Sequence, residues 1–527
     1  MSAQTETRRL SWWGWGHEDE ALGPAEVDRL AALVGPLLGL DGLTARPAPR
    51  IEDVVLPEPR VAAPPALRDI SSDDRRDRAA HAHGRSFADV VRAFEARAEH
   101  PPDLVLHPRN EDDVVAALDW CTERRIACIP YGGGTSVVGG VEPAVGDEYT
   151  AAVSLDMRAM SRVLDVDVQS RAARIEAGVL GPALEEQLKP HGLTLRHYPQ
   201  SFQFSTLGGW LATRSGGHYA TLHTHIDDFV ESMRVVTPRG VVETRRLPAS
   251  GAGPSPDRLF LGSEGILGVI TQAWMRLQRP PVHRCNATLQ FARFGDAVEA
   301  TRVVAQSGLN PANCRLLDNL EALISGAGDG SAALLLLGFE SHDHPCDTQL
   351  QRAVEIGRDH NGVAQEKRAQ SAGAATAWRD AFLRAPYMRD AMVALGVISE
   401  TFETAVTWDA FAQLHESVLH SARTHIGKGI VSCRFTHVYP DGPAPYYTVI
   451  AASKPGDQLP QWREVKQAVS DAIIAAGGTI THHHAVGRDH RPWYDRQRPQ
   501  LFADALRSAK RTLDPAGVLN PGVLIDP

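Results

Sequence analysis

Four glycine-bearing segments and a run of histidines are the parts of this 527-residue chain whose types and spacing can do chemistry. The first segment is Pro130-Tyr131-Gly132-Gly133-Gly134-Thr135-Ser136, at the end of a short apolar run. Glycine has no Cβ, so backbone amides there approach an anion closely. Thr135 and Ser136 add hydroxyl donors, and the loop reads as a phosphate cradle. It is not a Walker A loop, because no Gly-Lys-Ser/Thr follows. It is not the Rossmann fingerprint either, because the G-x-G-x-x-G spacing and its later acid are missing. Three further segments extend the pattern. They are Gln200, Ser201, Phe204, Ser205 and Thr206 ahead of Gly208-Gly209; Thr213-Arg214-Ser215-Gly216; and Glu264-Gly265 with Leu267-Gly268-Val269-Ile270. Any one alone is an ordinary turn, but all four in this order form a specific pattern. Far downstream, His482-His483-His484 follows Gly477-Gly478. Neutral imidazoles hydrogen-bond substrate oxygens and shuttle protons. The run is expected in a strand, where alternate residues share a face, so at most two of the three look into one site. Three consecutive ligands suit a metal poorly there, and no metal is expected. A surface run or a satisfied core histidine is the bland alternative.

These residues need a scaffold, and the hydrophobic pattern supplies one. Short apolar strands are expected at 103–107, 126–130, 151–155 and 173–177, with helices over 110–125 and 182–191. This alternation runs to about residue 280 and predicts an α/β domain built from short strands. Beyond it, strands are expected at 287–291 and 333–339 and as a pair at 432–438 and 446–451. Helices are expected over 294–306, 347–361, 409–426, 461–476 and 501–513. Residues 1–95 mix short helical patterns with proline-rich connectors, and a helix over 81–100 is expected to stop before Pro101.

Bulk properties exclude several functions. The net charge is −10 with a pI near 6.1, so no basic excess points to nucleic acid or to electrostatic docking on an anionic membrane. The six cysteines show neither a CxxC pair nor zinc spacing, and read as reduced thiols of a cytoplasmic protein. The N-terminus lacks the apolar core of a signal peptide, no run is long enough to span a bilayer, and the last residues are not a peroxisomal address. The Trp12-Trp13-Gly14-Trp15 cluster has two readings, a peripheral membrane anchor and a packed N-terminal staple, and the second is expected.

The four loops and the terminal Asp514-Pro515 … Asn520-Pro521 together resemble the vanillyl-alcohol oxidase type of FAD-binding domain. That resemblance implies a mixed α/β and α+β fold. It has a two-subdomain FAD-binding domain over 96–280, an N-terminal helical extension over 1–95, and an α+β cap over 281–450. A segment over 451–527 completes the site and packs on the FAD domain. In that family the first loop wraps the pyrophosphate, and the later segments line the ribityl chain, the adenosine and the isoalloxazine. Some members tether the flavin through a histidine near the first loop; 131–141 contains none, so non-covalent FAD is expected.

Within that family the chain is similar to alkylglycerone-phosphate synthase (alkyldihydroxyacetonephosphate synthase), which makes the ether bond of ether lipids. The likeness runs from Trp13-Gly14-Trp15-Gly16 through Phe204–Trp210, Arg315-Leu316-Leu317-Asp318, Tyr387-Met388-Arg389-Asp390 and Phe402-Glu403-Thr404 to Thr481–Gly487. It implies a lipid substrate, an acyl ester of dihydroxyacetone phosphate, whose fatty acid is replaced by a fatty alcohol at a flavin N5 adduct. It also implies a homodimer. Arg389 matches an active-site arginine for the substrate's anionic group, with a salt bridge to Asp390 or Glu403 as the plain alternative. Tyr446 matches a catalytic tyrosine, which acts as a base near neutrality only if positive neighbours lower its pKa. Tyr447 points to the opposite face unless the strand slips by one. Arg315 matches a family arginine on the substrate side that is expected to support architecture rather than chemistry, by pairing with Asp318 or a carbonyl, and His482, His483 and His484 match catalytic histidines. The chain departs from the family at 323–333, which is short and glycine-rich, and at 391–397, which is less aromatic. The competing expectation is an FAD-linked oxidoreductase of a 2-hydroxy acid, with Arg389 holding the carboxylate.

Overall fold

The loop Gly132–Gly134 sits where it does because a short parallel unit delivers it. In the computed structural model, which describes residues 8–223, 225–365, 374–453 and 456–526, the strand Leu104–Leu106 leads into the helix Glu111–Arg124. Asn110 caps that helix, its side chain accepting from the Asp113 amide at 3.0 Å. The chain then returns as the strand Ile126–Tyr131. The strand Ala151–Asp156 lies between the two and is parallel to both, and Ser71–Ser72 closes the edge of this four-stranded sheet. A second sheet of five antiparallel strands follows: Val163–Asp167, Ala172–Glu176, Val269–Arg276, Val230–Thr237 and Gly240–Glu243, in that spatial order. The two sheets have separate apolar cores, one around Leu106, Leu118 and Val153, the other around Ile175, Leu211 and Met275. Loops from both meet at the glycine-rich segments.

The cap is a seven-stranded antiparallel sheet spanning His283–Ala452. Its strands obey a two-residue alternation that decides the chemistry of each face. Cys314, Leu316, Leu335, Leu337, Ile398, Phe402, Cys433, Phe435 and Tyr447 point into one large core. That core is covered by the helices Phe294–Gln306, Asp347–Asp359, Phe411–His425 and Gln458–Ala475. Arg315, Ser399, Thr401, Arg434, Tyr446 and Thr448 point the other way, into a cavity shared with the loops of the first two sheets. Burying one face of the sheet under helices thus leaves its polar face free to serve a site.

Several elements differ from the sequence expectation. Only Phe87–Phe94 of 81–100 is helical, opened by a reciprocal Ser86/Asp89 capping box. The turn before it is pinned to the phosphate-type loop, since the Arg85 amide donates to the Ser136 carbonyl at 2.6 Å. A Cβ on Gly84 would stand 2.3 Å from that same oxygen. The helix Gln458–Ala475 packs on the cap sheet, so only the later part of 451–527 lies on the first two sheets. The helix Ala374–Ala394, which carries Arg389, has Pro386 inside it and no regular apolar stripe, and the sequence pattern misses it. The N-terminal tryptophans are packed: Trp12 and Trp15 are buried and Trp13 meets Phe94 edge-on at 5.2 Å. No helix among the described residues is long and apolar enough to cross a membrane.

Candidate active site

The phosphate-type loop is closed in a way that tolerates no side chain. A Cβ on Gly133 would lie 1.6 Å from the Phe204 carbonyl oxygen, and one on Gly134, at φ +66°, would collide with the Tyr131 hydroxyl. Tyr131 itself is wedged by His81, with ring centroids 4.1 Å apart, and donates to the Ala80 carbonyl at 3.2 Å. Ser136 Oγ accepts from the Gly140 amide at 3.0 Å, holding the loop curled. These amides and hydroxyls wall one large cavity of about 380 Å³.

Most residues singled out in the sequence reach that wall: Pro130–Ser136, Gln200, Ser201, Ser205, Thr206, Thr213, Ser215, Gly216, Glu264, Gly265, Gly268, Val269 and Ile270. Three of the expected cofactor residues do not, each for a local reason. The Phe204 ring turns to Trp15, edge-on at 5.9 Å, and only its carbonyl meets Gly133. Arg214 pairs with Asp227 at 3.1 Å, and Leu267 is buried in the core of the five-stranded sheet. Glu264 has a second task. Its carboxylate accepts from the amides of Val486 and Gly487 at 2.9 and 2.8 Å, tying the histidine segment to the glycine loops. Burial pushes its pKa up to about 7, against those two amides.

The histidine run is not a strand but a turn wound around one carboxylate. Glu403, 3% exposed, accepts from the amides of His482 at 2.6 Å, His483 at 3.1 Å and His484 at 2.9 Å, and from Thr481 Oγ1 at 2.5 Å. Burial opposes its ionisation, but the three histidines and the Thr481 hydroxyl outweigh it and hold the carboxyl well below the usual range. His483 and His484 face the cavity. His482 does not, because its ring is held by Tyr439 Oη at 2.9 Å and His225 Nε2 at 3.1 Å. Burial lowers all three imidazoles, His483 to about 3, so they are neutral near pH 7. His437 joins them from the cap sheet, and its nitrogen lies within 4.8 Å of nitrogens of His482 and His483.

Register decides the tyrosine. Tyr446 lies opposite Arg434 and Glu403 on the neighbouring strands and faces the cavity, while Tyr447 is buried under His415. The Arg434 guanidinium sits 3.9 Å from the centre of the Tyr446 ring, and His484 meets that ring edge-on at 5.6 Å. Burial raises the Tyr446 pKa and Arg434 lowers it less, so the phenol keeps its proton and is a hydroxyl, not a phenolate.

The arginines divide by partner. Arg434 is neutralised by Glu321 at 2.5 Å. Arg389 Nη2 bonds Asp390 at 3.1 Å, as the plain alternative expects, yet its Nε is buried with no partner and the residue lines the cavity. Arg315, 2% exposed, donates to Asn313 Oδ1 at 2.9 Å and to the His218 carbonyl at 3.3 Å, and lies over Trp378 at 4.2 Å. It does not pair with Asp318, which caps the helix Asn319–Ile324 instead. Among the described residues it has no carboxylate partner. Burial and Arg434 lower its pKa to about 9, which leaves it charged at neutrality. A buried cation without a counter-charge is costly, by about 3–5 kcal/mol when a partner is removed, so this one calls for an anionic ligand. Beside it the cavity becomes apolar, walled by Ile324, Trp378, Phe382, Ala385, Met388, Met392 and Ile450.

Arg434, His437 and the apolar wall were not assigned roles from the sequence, and Glu403 was considered only as a salt-bridge partner of Arg389, which pairs with Asp390 instead. Nothing local marks Glu403 as the acceptor of the histidine amides, which lie 79 to 81 residues away.

Comparison with known proteins gives the family and the fold. Residues 102–245 match the family described as FAD binding domain, and residues 280–524 the family described as FAD linked oxidases, C-terminal domain. The alkyldihydroxyacetonephosphate synthase of Trypanosoma brucei brucei is 32% identical, covering 89% of this chain and 82% of the relative. That of Dictyostelium discoideum is 30% identical, covering 98% of this chain and 94% of the relative. A solved alkyldihydroxyacetonephosphate synthase superposes with a TM-score of 0.82 at 26% identity, over 97% of this chain and 98% of the other. The fold is therefore the two-subdomain FAD-binding type with an α+β cap.

Proposed function

We propose, because this chain belongs to the alkyldihydroxyacetonephosphate synthase family of FAD-dependent enzymes, that it exchanges the acyl chain of an acyl-dihydroxyacetone phosphate for a fatty alcohol, with FAD bound non-covalently. Residues 96–280 would hold the cofactor and 281–450 most of the substrate. The amides of Gly132–Gly134 and the hydroxyls of Thr135 and Ser136 suit the diphosphate, since a Cβ at Gly133 or Gly134 would fill the cradle. When bound, FAD supplies its ring N5 as a nucleophile toward the substrate's C1.

This chain's own residues do the rest. Arg315 and the free Nε of Arg389 clamp the substrate phosphate, and planar guanidinium groups suit that anion. The Tyr446 hydroxyl and His484 donate hydrogen bonds to the ketone and to the departing carboxylate. His483, neutral and facing the cavity, accepts the C1 proton. Glu403 keeps both histidines oriented by holding their amides. The apolar wall from Ile324 to Ile450 takes the acyl or alkyl chain and excludes water from the reacting end.

The observation that carries this reading is the union, in one cavity, of an uncompensated buried arginine with a long apolar wall. A small hydroxy acid needs only the first. The test is to supply labelled hexadecanol with acyl-dihydroxyacetone phosphate, and separately D-lactate and glycolate without oxygen. Labelled ether product, lost in Tyr446→Phe, is expected. Bleaching of the visible flavin band by either hydroxy acid would defeat the proposal.

A further inference from the structure

Cys285 and Cys346 stand together in the cap, and the reaction just proposed gives neither a task. Cys285 lies on the strand His283–Phe291, in register with Phe339 of the neighbouring strand Ala333–Ser341. Cys346 comes after that second strand, directly before the helix Asp347–Asp359. The intervening turn brings the two sulfurs into contact. The Cys285 thiol donates toward Cys346 Sγ at 3.0 Å and the Cys346 carbonyl oxygen at 3.2 Å, and the Cys346 thiol donates to the Phe339 carbonyl at 3.5 Å. A disulfide bond is about 2.05 Å long, so an approach of about 1 Å joins the two sulfurs. Helix capping does not account for a cysteine at 346. The residue holds the N-cap position, where serine, threonine, asparagine or aspartate is preferred, yet its side chain makes no capping bond. Access also singles out this pair. Five of the six cysteines are buried, and Cys285 alone is partly exposed, between the exposed Arg284 and Asn286. Cys121 bonds Cys128 as well, but both are fully buried, out of reach of a dissolved oxidant.

We propose that Cys285 and Cys346 are a redox-active dithiol that closes to an intramolecular disulfide when a small-molecule disulfide such as oxidised glutathione accumulates. The Cys285 thiol gives its proton to water, and its thiolate attacks one sulfur of the reagent, whose S–S bond breaks and releases one thiolate. The Cys346 thiol then loses its proton and attacks the Cys285 sulfur, forming the Cys285–Cys346 bond and releasing the second thiolate. The released thiolates take up the two protons. Two electrons pass from the protein to the reagent, which becomes two thiols while the protein loses two hydrogens. Flavin and substrate take no part, and the proposal stands independently of the reaction read above. The consequence is mechanical. The two residues are 61 apart, so the bond fastens the helix Asp347–Asp359, which covers the cap core, to the first strand of the cap sheet and restricts the unfolded chain. Next to Phe339, Glu340 pairs with Arg196 from the domain that carries the glycine loops, so the clip lies near where the cap meets that domain. A reducing compartment keeps the pair as thiols, and the disulfide marks oxidising conditions.

The test equilibrates flavin-loaded, full-length protein in mixtures of reduced and oxidised glutathione, blocks the remaining thiols, digests without reductant and reads the peptides by mass spectrometry. A crosslinked species joining the Cys285 peptide to the Cys346 peptide is expected, lighter by two hydrogens than the sum of its parts and separated by dithiothreitol. Cys346→Ser removes the resolving sulfur, so Cys285 is expected to accumulate the mixed disulfide with glutathione that wild type does not retain. Oxidised wild type is expected to melt about 4–10 °C above its reduced form, and Cys285→Ser to show no such difference. Should Cys346→Ser, at a buried position, fail to fold, the wild-type crosslink and the partly exposed Cys285→Ser still decide. A stable glutathione adduct on Cys285 in wild type, crosslinks only through other cysteines, or thiols left intact at the most oxidising ratio overturns the pairing. So does the same rise in melting temperature in Cys285→Ser, which would place the stabilisation elsewhere.

Discussion

Replacing Glu403 by glutamine tests whether one carboxylate organises the histidine turn. The side chain keeps its shape, but one oxygen becomes an NH2 group that only donates. Placed where Oε2 stands, it confronts the amides of His482 and His483; placed where Oε1 stands, it confronts the His484 amide and the Thr481 hydroxyl. Either way two donors lose a charged acceptor. Hydrogen bonds to charged groups contribute about 1.5–3 kcal/mol each, so the turn should lose about 3–6 kcal/mol against local opening. At about 1.4 kcal/mol per factor of ten, amide exchange in 479–487 should quicken by roughly 10²- to 10⁴-fold. The assay is hydrogen–deuterium exchange of that peptide in flavin-loaded protein at pH 7, with ether-forming turnover measured alongside and expected to collapse. The pH dependence has a definite sign. The folded pKa of Glu403 lies below its unfolded value of about 4.3, so its contribution is complete above that pH and fades as pH falls through the folded value. The gap between variant and wild type should therefore be widest at neutrality and narrow in acid. Exchange within a few-fold of wild type at pH 7, with turnover retained, would refute the idea that Glu403 holds the turn.

Three further outcomes are expected. Gly133→Ala should yield colourless protein that takes up no added FAD, because the new methyl would stand 1.6 Å from the Phe204 carbonyl oxygen; visible absorbance after reconstitution checks this. Arg389→Lys should keep the flavin but weaken substrate phosphate binding, with KM raised about 10- to 100-fold for one lost charged hydrogen bond of about 1.5–3 kcal/mol from Nε; equal loss of FAD would count against that role. Met392→Trp narrows the apolar wall and should reduce turnover with hexadecanol far more than with butanol, read as the ratio of kcat/KM for the two alcohols.

The residue pattern carried the local part of the account. Glycine runs mark places where backbone must come close to something, and those at 132–134, 216 and 265 do line the cavity. Two-residue alternation placed Tyr446 and Tyr447 on opposite faces, and strand pairing with Arg434 then settled which of them faces inward. Local patterning failed where a helix had no apolar stripe, as at Ala374–Ala394, and where a turn borrowed its hydrogen bonds from elsewhere, as at His482–His484.

Sequence alone thus determined which chemistry was on offer: glycine loops whose amides can approach an anion, imidazoles, a phenol and guanidinium groups, each legible because glycine backbone and side-chain type are local properties. Tertiary structure decided which of them act together. Glu403 is 79 residues from the amide it grips most tightly, and His225 is 257 residues from the imidazole it touches. Whether Arg315 has a counter-charge depends on where Glu321 and Asp318 are spent. Charge compensation and hydrogen-bond direction belong to pairs of atoms, and only folding chooses the pairs.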